Sequence, residues 1–192
     1  MLIMNTNEFL ITNLFGPSYT TEYTFYYKIT SLISMITTLA MTPIWSVITK
    51  AMTEKRWDWL NELYKKVKLI GFFVIFLEFG LIPFLQPLMD IWLNENSLIV
   101  NYYYALAFAC FGSTIVYSGM LSTIVCGMAK MKMQTICYLV GVIFKFLIIM
   151  IGSKYMDNWI IVVWSSAIIL LPYCILQQIS LNKYFNKKIK ER

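Results

Sequence analysis

Three charged residues stand inside long apolar stretches of this 192-residue chain: Lys28, Glu78 and Lys145. A charge at mid-bilayer costs at least about 2.5 kcal/mol on insertion scales, so such groups face a bundle interior or water and tend to pair. Lys28 lies near the start of its stretch, where its long side chain can reach outward to the interface or turn inward to line a cavity. Lys145 is too deep to escape in that way. Two readings suit it: an ion pair with Glu78 at comparable depth on a neighbouring helix, or a cation lining an aqueous cavity that receives an anionic substrate.

Little else in the chain offers chemistry. Histidine is absent, which removes the commonest general base, the usual partner of a Ser or Cys nucleophile and the commonest metal ligand. Cys110, Cys126, Cys137 and Cys174 all lie within apolar stretches and form no C-x-x-C pair. They read as small buried hydrophobes rather than a disulfide framework. The acidic residues are few and scattered, and there is no Gly-rich phosphate loop. No catalytic residue, metal site or cofactor is therefore expected, and the chain does not read as an enzyme.

The elements that must position those charges follow from composition. The chain is 59% hydrophobic and 14% charged, against about 45–50% and about 25% in soluble domains. The apolar residues come in blocks, and a bilayer core of about 30 Å needs roughly 20 helical residues. Five blocks meet that length: 23–49, 69–93, 98–128, 133–156 and 159–181. The expected fold is all-α, a polytopic membrane helix bundle of about five transmembrane helices. Pro43, near the end of the first block, is either a hinge or an ordinary kink, and Trp45 would anchor that end at the interface.

Two further segments differ from the spans. Residues 1–18 form an apolar but short stretch closed by the turn-like Gly16-Pro17-Ser18. They read as the remnant of a preceding span, or as a re-entrant or surface segment. Met1 to Thr12 carry no Lys or Arg and lack the positive n-region of a secretory signal. Residues 52–68 combine five basic residues with Trp57, Leu60, Leu63, Tyr64 and Val67 at helical spacing. That pattern predicts a cytoplasmic amphipathic helix in the headgroup layer.

Charge gives the orientation. Of the 16 Lys and Arg, 13 lie after the first block, after the third and in the tail, and only Lys154 lies in a connection on the opposite side. The positive-inside rule places the basic connections and the C-terminus in the cytoplasm. The net charge of +6 is accounted for by a membrane surface, and no basic stripe interleaved with aromatics points to nucleic acid. Trp92, Tyr102, Tyr103, Tyr104, Tyr155 and Trp159 read as an aromatic belt at the outer interface. Gly119, Thr123 and Gly127 form one small-residue row, and Ala105, Ala109 and Ser113 another. Both predict close helix–helix contact.

The stretch Leu14-Phe15-Gly16-Pro17, then Tyr23 and Tyr26-Tyr27-Lys28, leads to Thr42-Pro43-Ile44-Trp45-Ser46-Val47-Ile48-Thr49-Lys50-Ala51 and Trp57-Asp58-Trp59. It resembles the Wzx-type polysaccharide (O-antigen or capsule repeat-unit) flippases of the multidrug/oligosaccharidyl-lipid/polysaccharide exporter superfamily, over roughly residues 9–60. The resemblance implies about twelve spans in two lobes, of which residues 19–192 would be most of the C-terminal lobe, with the N-terminal lobe as a missing partner. It also implies a substrate, an undecaprenyl-pyrophosphate-linked oligosaccharide moved between leaflets, and makes Lys28 and Lys145 candidates to line its cavity. A multidrug or ion antiporter of the same superfamily and a non-transporting membrane assembly subunit are the alternatives. Glu78, as the only acid deep inside a block, argues mildly against the antiporter.

Overall fold

The computed structural model describes residues 2–93, 99–155 and 158–190. Seven α-helices and one short 3-10 turn follow one another, and no strand occurs among the described residues. Five stretches are long and apolar enough to cross a membrane: Pro17–Thr53, Trp57–Ile91, Tyr102–Gly127, Lys132–Gly152 and Ile160–Lys190. The chain is an all-α polytopic membrane bundle.

Helix α1 covers Leu2–Leu14. Gly16, at φ 109°, makes the turn that follows, and Pro17 opens α2 (Pro17–Thr53) at a position where its missing N–H costs nothing. This helix has 37 residues and so runs about 55 Å. It exceeds the expected 23–49 at both ends because helix geometry continues past the point where hydropathy falls. The break after it falls at 54–56, with Lys55 at φ 54°.

Helix α3 (Trp57–Gly80) then runs without interruption. The amphipathic stretch expected over 52–68 is therefore not an element of its own: 52–53 end α2, 54–56 form the break, and the rest is the first part of α3. Its apolar stripe is covered by protein: Leu60, Tyr64 and Val67 are buried. Tyr64 donates to the Gln178 carbonyl at 3.3 Å and its ring lies 5.5 Å from that of Phe185. Pro83 lacks an N–H and ends α-helical geometry. A 3-10 turn over Ile82–Phe84 leads into α4 (Leu85–Leu93).

Helix α5 (Tyr102–Gly127) is the central post, packed against α2, α3 and α7. It is apolar or small on every side, as suits a helix that is mostly buried. The Asn101 side chain caps it by accepting from Tyr103 N at 3.0 Å. Helices α6 (Lys132–Gly152) and α7 (Ile160–Lys190) complete the bundle. The last helix runs well beyond the expected end at 181. Its extension carries Tyr184 and Phe185, which pack on α3 and on the basic turn between α5 and α6. Trp57 meets the Tyr184 ring edge-on at 6.1 Å, and Lys130 Nζ stands 3.3 Å over that ring.

The core divides by height. At the end opposite the basic residues, Ile11, Tyr23, Tyr26, Phe108, Phe111 and Trp159 form an aromatic-rich cluster. Toward the basic end, Tyr64, Val67, Leu121, Ile124, Tyr173 and Phe185 form the second. Trp159 corrects one expectation. It is 1% exposed and stacks edge-on against Tyr104 at 4.9 Å, so it is core rather than belt. Tyr102, Tyr103 and Tyr155 are exposed, and the Trp92 side chain lies outside the described residues. Helices α2, α3 and α6 carry large apolar side chains outward, Ile36, Phe76 and Met150 among them, as lipid-facing helices do.

Candidate functional site

The small-residue row on α5 does two different things. At Gly127 the helices touch: a Cβ there would stand 2.7 Å from Ile48 Cγ2 and 3.2 Å from the Trp45 carbonyl. The Thr49 hydroxyl on α2 shares its proton between the Gly127 carbonyl across the interface and the Trp45 carbonyl of its own helix, each at 3.2 Å. Two turns earlier, at Gly119, nothing lies within 4 Å. The helices have parted, and the space between α2, α5 and α6 is a groove of about 570 Å³. That falls within the roughly 300–1,000 Å³ of ordinary ligand pockets.

The lining of this groove carries no charge and sets many hydroxyls among apolar side chains such as Met35, Met41, Ile115 and Met120. Thr30, Ser31, Ser34, Thr37 and Thr38 come from α2, Ser118, Ser122 and Thr123 from α5, and Gln134 and Tyr138 from α6. The hydroxyls survive in an apolar setting because they bond to their own helix. Thr37 and Thr38 donate to the carbonyls of Ile33 and Ser34 at 2.8 Å, and Ser31 to Lys28 at 2.9 Å. Each oxygen keeps acceptor capacity toward the groove. Gln134 Nε2 donates to Ser122 Oγ at 2.6 Å, while Gln134 Oε1 is buried without a partner among the described residues. An arrangement of this kind can take hydrogen bonds from a polyhydroxylated ligand.

A second groove of about 570 Å³ lies between α1 and α2, and Lys28 lines it together with Glu8, Thr12 and Thr20. Thr12 and Thr20 share a hydrogen bond at 2.8 Å. The linings of the two grooves together follow α2 from Pro17 to Met41. That is a rise of about 36 Å, comparable to the hydrocarbon thickness of about 30 Å.

The other expected residues lie elsewhere. Lys145 is fully buried and lines neither groove. Its ammonium donates to Asn7 Oδ1 at 2.5 Å and to Thr6 Oγ1 at 2.8 Å. Ser166 on α7 donates to the same Asn7 oxygen at 2.9 Å, so the node joins α1, α6 and α7. Glu78 sits on α3 against Gly112 of α5. It forms no ion pair with Lys145, which corrects the expected pairing: the two project into different helix interfaces, and α1 reaches Lys145 instead. Lys28 and Lys145 are not brought together. Pro43 and Trp45 are both exposed on α2, which continues as one helix through the proline. Trp45 is 53% exposed, near the Gly127 contact.

The chain matches no protein-family model, no curated protein and no solved structure.

Sequence reasoning missed the groove itself and the Thr6–Asn7 node. The signal for the groove was present as the unusual Ser and Thr content of the first span. A run of hydroxyls at positions 30, 31, 34, 37 and 38 covers one side of a helix at 3.6 residues per turn.

Proposed function

We propose that this chain is a membrane transport lobe that carries the polar part of a lipid-linked oligosaccharide, as a repeat-unit flippase or the C-terminal part of one. The observation that carries the reading is the charge-free groove between α2, α5 and α6, in which Ser and Thr hydroxyls of two helices stand among apolar side chains. Sugars are recognised by neutral donors and acceptors, and a groove bordered by apolar helix faces leaves the lipid tail in the bilayer. Lys28, in the adjoining groove, supplies a cation for a phosphate. Lys145 does not serve that role, because it is buried against α1. The proposed setting is a bacterial plasma membrane with the basic end, including the C-terminus, on the cytoplasmic side.

The test is photocrosslinking of undecaprenyl-pyrophosphate-linked oligosaccharide, bearing a photoreactive sugar, to the chain in nanodiscs. Peptide mapping is expected to place the label on α2 and α5 around Ser34 and Ser122, and the double variant Ser34→Leu/Ser122→Leu is expected to lose it. Label confined to the lipid-facing sides of α3 and α6, or unchanged in the double variant, overturns the proposal.

A further inference from the structure

One buried polar group serves neither the groove nor the α1 node. Glu78 is 2% exposed, and its Oε1 has no hydrogen-bond partner among the described residues. Its carboxyl stands directly against the backbone of α5: a Cβ on Gly112 would lie 2.8 and 2.9 Å from the two oxygens. A side chain at position 112 would make the carboxyl shift.

The space beside it is small, about 10 Å³, and is walled by Tyr26, Ile29 and Thr30 of α2, by Leu81 and Leu85, and by Phe108 of α5. Besides Glu78 itself, Tyr26 is the titratable residue lining it among the described residues; its oxygen accepts from Asn101 N at 2.9 Å. From α5, Tyr117 packs against Gly71 of α3, about two turns nearer the basic end. No Lys or Arg lines the space, and Lys145 is engaged by α1.

Burying an unpaired carboxylate costs far more than burying the neutral acid. The packing around Glu78 therefore suits the acid. An ionised Glu78 must reach water or a polar wall. Ile29, Leu81, Leu85 and Phe108 close most directions, whereas Thr30, which walls the small space, and Gly112, which the carboxyl abuts, both line the large groove. The groove is one residue away.

We infer that Glu78 is a proton-binding site whose occupancy sets the width of the groove. With the proton bound, the carboxyl stays behind Gly112 and α2 rests on α5. When the proton leaves to water, the carboxylate moves past Thr30 and Gly112 toward the groove, which requires α2 to separate from α5. This rests on the geometry of the groove and not on what the groove carries.

The test uses the full chain in nanodiscs, with its four native cysteines replaced by Ala and spin labels on Leu39→Cys of α2 and Leu139→Cys of α6. Both leucines are exposed and line neither site. The interlabel distance is expected to widen as pH rises when Glu78 is present, and to stay at its low-pH value throughout in Glu78→Gln. Infrared difference spectra over the same pH range are expected to show loss of a carboxylic-acid C=O band that is missing from Glu78→Gln. Gly112→Ala, which pushes the carboxyl from its seat, is expected to move the midpoint of both changes and serves if Glu78→Gln fails to fold. A distance change that persists in Glu78→Gln, no change with Glu78 present, or an unmoved midpoint in Gly112→Ala overturns the inference.

Discussion

Gly119 and Gly127 stand eight residues apart on one row of α5, yet α2 closes on one and leaves the other open. The Gly127 end is apolar contact plus one crossing hydrogen bond from Thr49. The Gly119 end faces a groove whose hydroxyls are satisfied within their own helices. Close packing in lipid uses small residues to bring backbones together, and the same residues, without a partner side chain opposite, make room. Whether a small-residue row is a contact or a cavity depends on what the facing helix presents.

The largest test of this contrast is Gly127→Leu. The new side chain would enter space held by Ile48 and the Trp45 carbonyl, and overpacking of this kind costs about 1–3 kcal/mol. Unfolding in mixed micelles should show a loss near the upper end, with α2 the first helix to exchange its amides. A change under about 0.5 kcal/mol, the scale of a surface substitution, would mean the contact is loose. Lys145→Met tests the other closed region. It removes the Lys145 hydrogen bonds to Asn7 Oδ1 and Thr6 Oγ1, and an expected loss of about 2 kcal/mol should be accompanied by faster exchange across α1. Equal exchange in α1 and α7 would show that the node does not hold α1.

Smaller effects sharpen the same contrast. Thr49→Val removes one hydrogen bond to the Gly127 carbonyl and should cost about 1 kcal/mol. Gly119→Ala adds a methyl where nothing lies within 4 Å. It should be neutral or stabilise by up to about 1 kcal/mol through helix propensity. If Gly119→Ala destabilised the chain as Gly127→Leu does, the groove would have to close in the membrane.

Much of the bundle was legible because the bilayer imposes it. Blocks of about 20 apolar residues mark spans, and all five apolar blocks became helices. Boundaries were less legible. Hydropathy stops where the membrane is expected to stop, whereas α2 and α7 continue because nothing in their flanking residues breaks a helix. The amphipathic pattern of 52–68 was read correctly as a helix face, but its cover was not. Tyr64 and Leu60 meet the far end of α7, a contact between residues more than a hundred positions apart. Trp159 misled in the same way, since a Trp at a span end suits an interface as well as a core.

The candidate site divides likewise. The chemistry of Lys28, Glu78 and Lys145 as intramembrane charges was visible from residue type alone, because no apolar block tolerates them without a reason. Their partners were not. Glu78 and Lys145 share a depth in the sequence pattern, and depth says nothing about which direction a helix faces. The sequence by itself determined the membrane class, the number of long apolar helices and the asymmetry of charge, since each follows from transfer free energies summed over local segments. Only the tertiary structure decided that Gly127 closes and Gly119 opens, that α1 receives Lys145, and that Glu78 rests against Gly112 rather than Lys145. Those outcomes depend on helix rotation and crossing, which are set by side-chain packing between distant segments.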